Sequence, residues 1–290
     1  MKTIATINFK GGVGKTTVTW CLGETVSKLP NRRTLIFDLD AQMSLTQAIT
    51  VNEDGVPFKS FTDWFAKCIQ RKKTIFHALE KFTIPSEHFD FGIGNDFIYH
   101  ISDSYHFVPA IEDLYWTELE VFDRNLVKDF IRRLLGKIEN SNLPKYDTVF
   151  FDCPPSFSLL SYSVLSCCDI VLIPINPDFY ATKGLNLLLN SLRMRIEPFP
   201  VPKIGVFMNR AKKPGGSSNK KYSNETQRYL DDAHEVVDSV SQNQKLKIKV
   251  FDATIPERVA IKRAVQEGIP KDLKQPFNKL WNEIEGFLNE

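Results

Sequence analysis

Near the start of the chain, Gly11-Gly12-Val13-Gly14-Lys15-Thr16-Thr17 has the residue types and order needed to hold a polyphosphate. Glycines let successive backbone N–H groups turn toward phosphate oxygens with no Cβ in the way. A helix expected to begin near Lys15 points its positive end at the same anion. Lys15 then reaches the β- and γ-phosphates, and the Thr16 hydroxyl is suited to ligate Mg2+. Two acidic segments can complete such a site. In Asp38-Leu39-Asp40 the carboxylates, two apart on an extended segment, point to the same side. Asp152 closes the apolar run Val149-Phe150-Phe151 and is suited to hold Mg2+ through water. The chemistry implied is capture of a nucleoside triphosphate with its magnesium ion. The loop departs from the standard G-x-x-x-x-G-K-[ST] pattern, because Phe9 stands where a glycine is required and Lys10 precedes the glycine pair.

These residues must be positioned by strands ending at one edge of a sheet. Apolar runs suited to buried strands occupy residues 3–8, 34–38, 105–109, 148–152, 170–175, 204–209 and 247–251. Helices are expected over 15–28, 112–137, 159–167, 182–196, 223–242, 257–266 and 277–288. Strands alternating with helices imply right-handed βαβ units. The predicted fold is α/β: a doubly wound, mostly parallel sheet with helices on both faces, forming a single domain over residues 1–290. Residues 51–103 show no clear period, and their aromatics (Phe58, Phe61, Trp64, Phe65, Phe89, Phe91, Phe97, Tyr99) are read chiefly as core packing within a variable insert.

At 42% hydrophobic and 25% charged residues, the 290-residue composition is that of an ordinary globular protein, and the net charge of +2 says little about partners. The five cysteines, Cys21, Cys68, Cys153, Cys167 and Cys168, form no C-x-x-C pair and no zinc spacing. Their odd number beside a nucleotide motif suggests a reducing, cytoplasmic setting. No signal peptide and no 18-residue apolar span is expected.

Lys10-Gly11-Gly12-Val13-Gly14-Lys15-Thr16-Thr17 resembles the deviant Walker A box of the ParA/MinD family of P-loop ATPases. The resemblance implies that Lys10 reaches the nucleotide of a facing subunit in an ATP-sandwich homodimer, much as an arginine finger does. Asp38-Leu39-Asp40-Ala41-Gln42 resembles the family's D-x-D-P-Q switch, with Ala41 in place of proline. This implies that Asp40 orients the attacking water and that Asp38 supports the Mg2+ hydration shell. Asp152-Cys153-Pro154-Pro155-Ser156 is similar to the second switch, D-T/A-P-P-S. Cys153 is read there as a small buried residue in preference to a redox centre. Asn209 ends a strand with an amide suited to an adenine edge and matches the family's base-contact position. Ile255-Pro256-Glu257-Arg258-Val259 resembles the I-P-x-x-V loop beside the base, which adds Pro256 to the nucleotide-binding set. The likeness runs through residues 2–45 and 146–270, and lies closer to ParA than to MinD.

The resemblance further implies a slow, partner-stimulated ATP hydrolase that requires ATP and Mg2+. It implies non-specific, nucleoid-associated DNA binding and a ParB-like or cargo-adaptor partner carrying a basic or disordered segment. The cargo can be a plasmid or chromosome, or a protein body such as a carboxysome or chemoreceptor cluster. Between Pro200 and Gln275 there are 15 Lys and Arg against 9 Asp and Glu, an excess of 6 that suits phosphate contacts. Lys212, Lys213, Lys220, Lys221, Lys245, Lys247, Lys249, Lys262, Arg263, Lys271 and Lys274 supply much of it. Ala260 stands where ParA proteins carry a DNA-contacting arginine, with Arg258, Lys262 and Arg263 as possible replacements. Three other readings compete. A MinD-like membrane ATPase would need a basic amphipathic closing helix, but Glu283, Glu285 and Glu290 make this end acidic, so no membrane partner is expected. An iron–sulfur reductase would need a bridging cysteine pair, which adjacent Cys167-Cys168 does not provide. A non-hydrolysing scaffold conflicts with intact Asp40 and Asp152.

Overall fold

In a computed structural model, the chain is described over residues 1–50, 61–83, 97–118, 124–141, 145–195, 202–214, 221–241, 246–258 and 269–290. Its frame is a sheet whose strands are β1 (Lys2–Thr6), β2 (Thr34–Asp38), β3 (Tyr99–His100), β4 (Tyr105–Val108), β5 (Thr148–Asp152), β6 (Ile170–Ile175), β7 (Lys203–Ala211), β8 (Ile248–Val250) and β9 (Ile255–Pro256). Their order is β3-β4-β2-β5-β1-β6-β7-β8, with β9 also pairing to β7. All pairings are parallel except β3 with β4. The long strands are buried almost throughout and mostly apolar because helices cover both faces. In β5, for example, Val149 and Phe151 join one core and Phe150 joins the other.

One face carries α1 (Lys15–Ser27), α3 (Phe61–Gln70) and the closing helix α9 (Lys271–Asn289). The other carries α4 (Ile75–Thr83), α5 (Arg124–Asn140), α6 (Leu159–Leu165), α7 (Phe179–Arg195) and α8 (Asn224–Ser241). A short α2 (Ser44–Thr50) follows β2. In α9, Leu273, Phe277, Leu280, Trp281, Ile284 and Phe287 are all buried at helical spacing, so its apolar stripe is used in packing on the sheet. Among the described residues no helix is long and apolar enough to cross a membrane.

Several sequence expectations shift. The helix expected over 112–137 begins instead as a 3-10 segment, Glu112–Glu118, and the α-helix starts at Arg124. Tyr115, Trp116 and Thr117 are poor helix formers, which favours the tighter turn. The closing helix starts six residues earlier than expected and runs through Pro276, which reads in sequence as a boundary. The helix expected over 257–266 falls mostly outside the described residues, and Glu257 and Arg258 are not helical. Within the insert, Trp64 is buried while Phe65 and Phe97 pack on the cores; Phe58, Phe89 and Phe91 lie outside the described residues.

Candidate nucleotide site

At the carboxyl edge, β1 runs into the loop that ends at Gly14, the N-cap of α1. Gly12 and Gly14 have φ of 73° and 92°, left-handed values that L side chains resist. A Cβ added at Gly11 or Gly12 would meet nothing within 4 Å, so the loop borders open space. At Gly14 it would stand 2.4 Å from Asn209 Nδ2. That amide donates to the Val13 carbonyl at 2.7 Å. Asn209, expected at the adenine, is therefore also the prop that holds β7 against the phosphate loop. Pro256 lies in β9, half-buried, paired with Ala211 beside the Asn209 end of β7. Arg210 bulges between the Asn209–Ile255 and Ala211–Pro256 pairings, with φ 55°.

Behind the loop, neighbouring strands bring the acids together. Thr6 and Asp38 both stand in register with Asp152. Both aspartates are fully buried. The carboxylate of Asp38 accepts from the Thr46 N–H at 2.8 Å, the Thr46 hydroxyl at 2.7 Å and the Asp40 N–H at 3.1 Å. Burial still pushes its pKa up to about 7. Asp152 is different: neither carboxylate oxygen has a hydrogen bond of good geometry. Burial, then the Asp38 charge beside it, raises its pKa well above the ordinary value, while the adjacent Thr16 hydroxyl and Lys15 act the other way. Lys15 is itself buried, and desolvation lowers its pKa against the pull of Asp152 and Asp40.

A buried aspartate with both oxygens unpaired, facing Thr16 and Lys15, is a donor set that fits Mg2+. Thr16 and Asp152 would hold the ion. Asp38, its Oδ2 engaged with Thr46 and its Oδ1 with the Asp40 N–H, is placed to act at one remove. Thr17 is half-buried in the first turn of α1.

Asp40 is half-buried on the loop after β2, where its Oδ1 accepts from the Gln42 N–H at 3.0 Å. Met43, buried, comes next at φ 54°. A cavity of about 410 Å³ separates this loop from Pro154-Pro155-Ser156 and is bordered by Tyr115, whose hydroxyl accepts from the Gln42 amide. Lys10 lies on the opposite flank. Its N–H donates to Asn8 Oδ1 at 2.9 Å, and its ammonium pairs with Asp178 at 2.6 Å, 5.7 Å from the Tyr180 ring centroid. Phe9, where the standard motif has glycine, packs edge-on against Phe157, the residue after the second switch, centroids 6.0 Å apart. Cys153 is buried, and burial, then Asp152, raises its thiol pKa far above the ordinary value, leaving it an inert apolar residue.

Sequence reasoning missed Thr46, Asp178 and the propping role of Asn209. Thr46 and Asp178 carry no motif, and their partners Asp38 and Lys10 are brought to them only by the fold. Of the basic residues, Lys212, Lys249 and Arg258 pair with Glu225, Glu290 and Asp272. Lys213, Lys221, Lys247, Lys271 and Lys274 are exposed and make no ion pair with another described residue. Lys220, Lys245, Ala260, Lys262 and Arg263 lie outside the described residues.

A family model described as an AAA domain matches residues 1–198. A ParA family protein of Chlamydia pneumoniae is 30% identical over 209 residues, 72% of each chain. The chain belongs to the ParA family of P-loop ATPases. A second relative, the chromosome-partitioning ATPase Soj of Treponema pallidum, is 25% identical over 93% of this chain and 88% of its own. Among solved structures, a Cyanothece McdA–ATP complex covers 98% of this chain and 96% of its own, with a TM-score of 0.71 and 21% identity. The structure of pNOB8 ParA bound to nonspecific DNA covers 99% and 95%, with a TM-score of 0.63 and 22% identity. At these identities the structural likeness is one of fold.

Proposed function

We propose that this ParA-family chain is a single-domain partition ATPase whose ATP-bound homodimer binds DNA without sequence preference and releases it on hydrolysis. The observation that carries the reading is Asp152, buried with both oxygens unpaired at the level of Asp38, beside Lys15 and Thr16. When bound, Mg2+ supplies charge neutralisation on the phosphates. Lys15 and the N–H groups of residues 11–16 bind the polyphosphate. Asp40, held by the Gln42 N–H, orients water toward the terminal phosphate. Lys10 leaves Asp178 to reach the nucleotide of a second copy, which makes the nucleotide part of the interface. Asn209 and Pro256 border the adenine.

DNA contact draws support from the five exposed lysines that make no ion pair with a described residue and from the fold shared with pNOB8 ParA. Because this patch doubles in a dimer, binding should follow nucleotide state. The test is binding to a non-specific duplex with ATP, with ADP and without nucleotide, over a salt series. Binding with ATP alone, with a log–log salt slope near about −0.9 per neutralised phosphate, is expected. Equal binding in all three states, or none while ATP still drives dimerisation, would overturn the DNA reading. The cargo and the protein that triggers hydrolysis are settled by neighbouring genes: a centromere-binding gene marks DNA cargo, a microcompartment or chemotaxis operon a protein body.

A further inference from the structure

Outside the nucleotide site, three cations from two helices converge on one hollow. Arg124 and Lys128, four residues apart on α5, and Arg195, at the end of α7, line a cavity of about 380 Å³ floored by Phe157, Leu159 and Tyr162. All three cations are exposed. No acid is among the described lining residues, and Arg124 and Arg195 make no ion pair with any described residue. Lys128 stands over the Tyr162 ring, 5.3 Å from its centroid. The next turn of α5 shows the contrast: Asp129 takes Arg133 at 2.5 Å and Arg132 at 4.0 Å. Like charges four apart on a helix repel, and the fold adds a third from α7. A concavity of one sign focuses a positive potential that an anionic partner would relieve.

We propose that this hollow docks an acidic segment of a partner protein, with carboxylates on Arg124, Lys128 and Arg195 and one apolar side chain against Phe157 and Tyr162. Arginine forks match carboxylates in bidentate fashion, and an aromatic floor gives an apolar anchor its contact. Duplex DNA fits less well. It is met by cations spread along a surface, whereas these converge over one hollow of about 380 Å³ and lie outside the lysine-rich 200–275 region. The segment is opposite in charge to the basic one implied for a ParB-like activator, so it marks a separate contact. Its floor begins at Phe157, the residue after the second switch, and Phe157 contacts Phe9 of the phosphate loop. Docking does not rest on the ATPase reading, since it can be measured without nucleotide.

The experiment uses the full chain without nucleotide and a labelled ten-residue peptide of Glu and Asp with one central Phe, followed by fluorescence anisotropy at low salt. Binding to wild type is expected, with at least tenfold loss in the double variant R124E/K128E and at least threefold loss in R195E, which alters a different helix. K279E, on the exposed side of α9, should bind as wild type does. The uncharged peptide with Gln and Asn in place of the acids should not bind. The milder pair R124Q/K128Q serves if charge reversal disturbs folding, judged by the thermal midpoint. Wild-type affinity in both R124Q/K128Q and R195E, or binding of the uncharged peptide as tight as the acidic one, overturns the proposal. So does displacement by orthophosphate or a 20-base-pair duplex at concentrations below that of the unlabelled peptide, which would make the hollow an inorganic-anion or nucleic-acid site.

Discussion

Replacing Gly14 with alanine perturbs the point where β7 meets the phosphate loop. Gly14 sits at φ 92°, and an added Cβ would stand 2.4 Å from Asn209 Nδ2, which donates to the Val13 carbonyl at 2.7 Å. Two effects add. A non-glycine residue in left-handed backbone costs about 1–2 kcal/mol. Pushing the amide off its carbonyl loses a hydrogen bond worth about 1 kcal/mol, more where the carbonyl stays buried. The sum is about 2–3 kcal/mol, a fall in Tm of roughly 3–5 °C for a chain of 290 residues. Asn209→Ala alone should cost about 1–2 kcal/mol. In the double variant the obstruction is gone, and Gly14→Ala then adds only the backbone strain. Unfolding of the wild type, both singles and the double by urea, without nucleotide, gives the coupling directly. The double should be less destabilised than the sum of the singles by about 1 kcal/mol. Strict additivity, within about 0.3 kcal/mol, would show that Asn209 does not bear on Gly14 and would remove the prop from the account.

Asp40→Ala should keep ATP binding and the dimer while phosphate release falls at least about 100-fold, the scale of a lost general base; turnover at the wild-type rate would exclude Asp40 from water activation. Asp178→Asn keeps an oxygen for the Tyr180 N–H, which it bonds at 3.1 Å, but frees Lys10. Because that ion pair is half-exposed and worth up to about 1 kcal/mol, the ATP concentration at half-dimerisation should fall by up to about fivefold in sedimentation, and no change would mean that the pair does not restrain Lys10. His106 is buried, stacked on His100 at 3.9 Å and bonded to the Tyr146 hydroxyl at 2.7 Å. Burial, then His100 and Arg33, lowers its pKa to about 4 from 6.5, so its contribution to stability is present above pH 6.5 and is lost as pH falls through about 4. His106→Asn should flatten the acid limb of stability in that window, and a limb of unchanged slope in urea titrations at pH 4 to 7 would place the loss elsewhere.

The strands were legible because helices cover both faces of the sheet, so the long strands carry apolar runs without strict alternation; Ile170–Ile175 is buried at every position. Their ends were legible because Asp38 and Asp152 interrupt those runs at one edge. The two-residue strands Tyr99–His100 and Ile255–Pro256 carry no such signal, since their existence depends on β4 and β7 alongside. Pro276 concealed the first turn of the closing helix. Its missing N–H would have met the carbonyl of Asp272, an exposed residue that water can satisfy, so the helix tolerates it. The phosphate loop was readable as a local motif. The contacts that hold it, Asn209 to Val13 and Lys10 to Asp178, join residues 196 and 168 positions apart, a separation that composition and spacing do not encode.

The same edge shows why this site favours its ligand over its own stability. Asp152 is buried with neither oxygen in a hydrogen bond of good geometry to a described residue, in register with a second buried carboxylate. Lys15 brings one positive charge, itself opposed by burial. An apolar core would hold the strand together better than this arrangement, because an unpaired buried polar group costs about 1–3 kcal/mol. Asp152→Asn keeps the volume and removes the charge. It should raise Tm without nucleotide by a few degrees, and it should lose the further rise that ATP with Mg2+ gives the wild type. Both halves are read in one thermal-shift experiment. A variant less stable than wild type without nucleotide, yet still stabilised by ATP and Mg2+, would show that the buried carboxylate serves the sheet and not the ion.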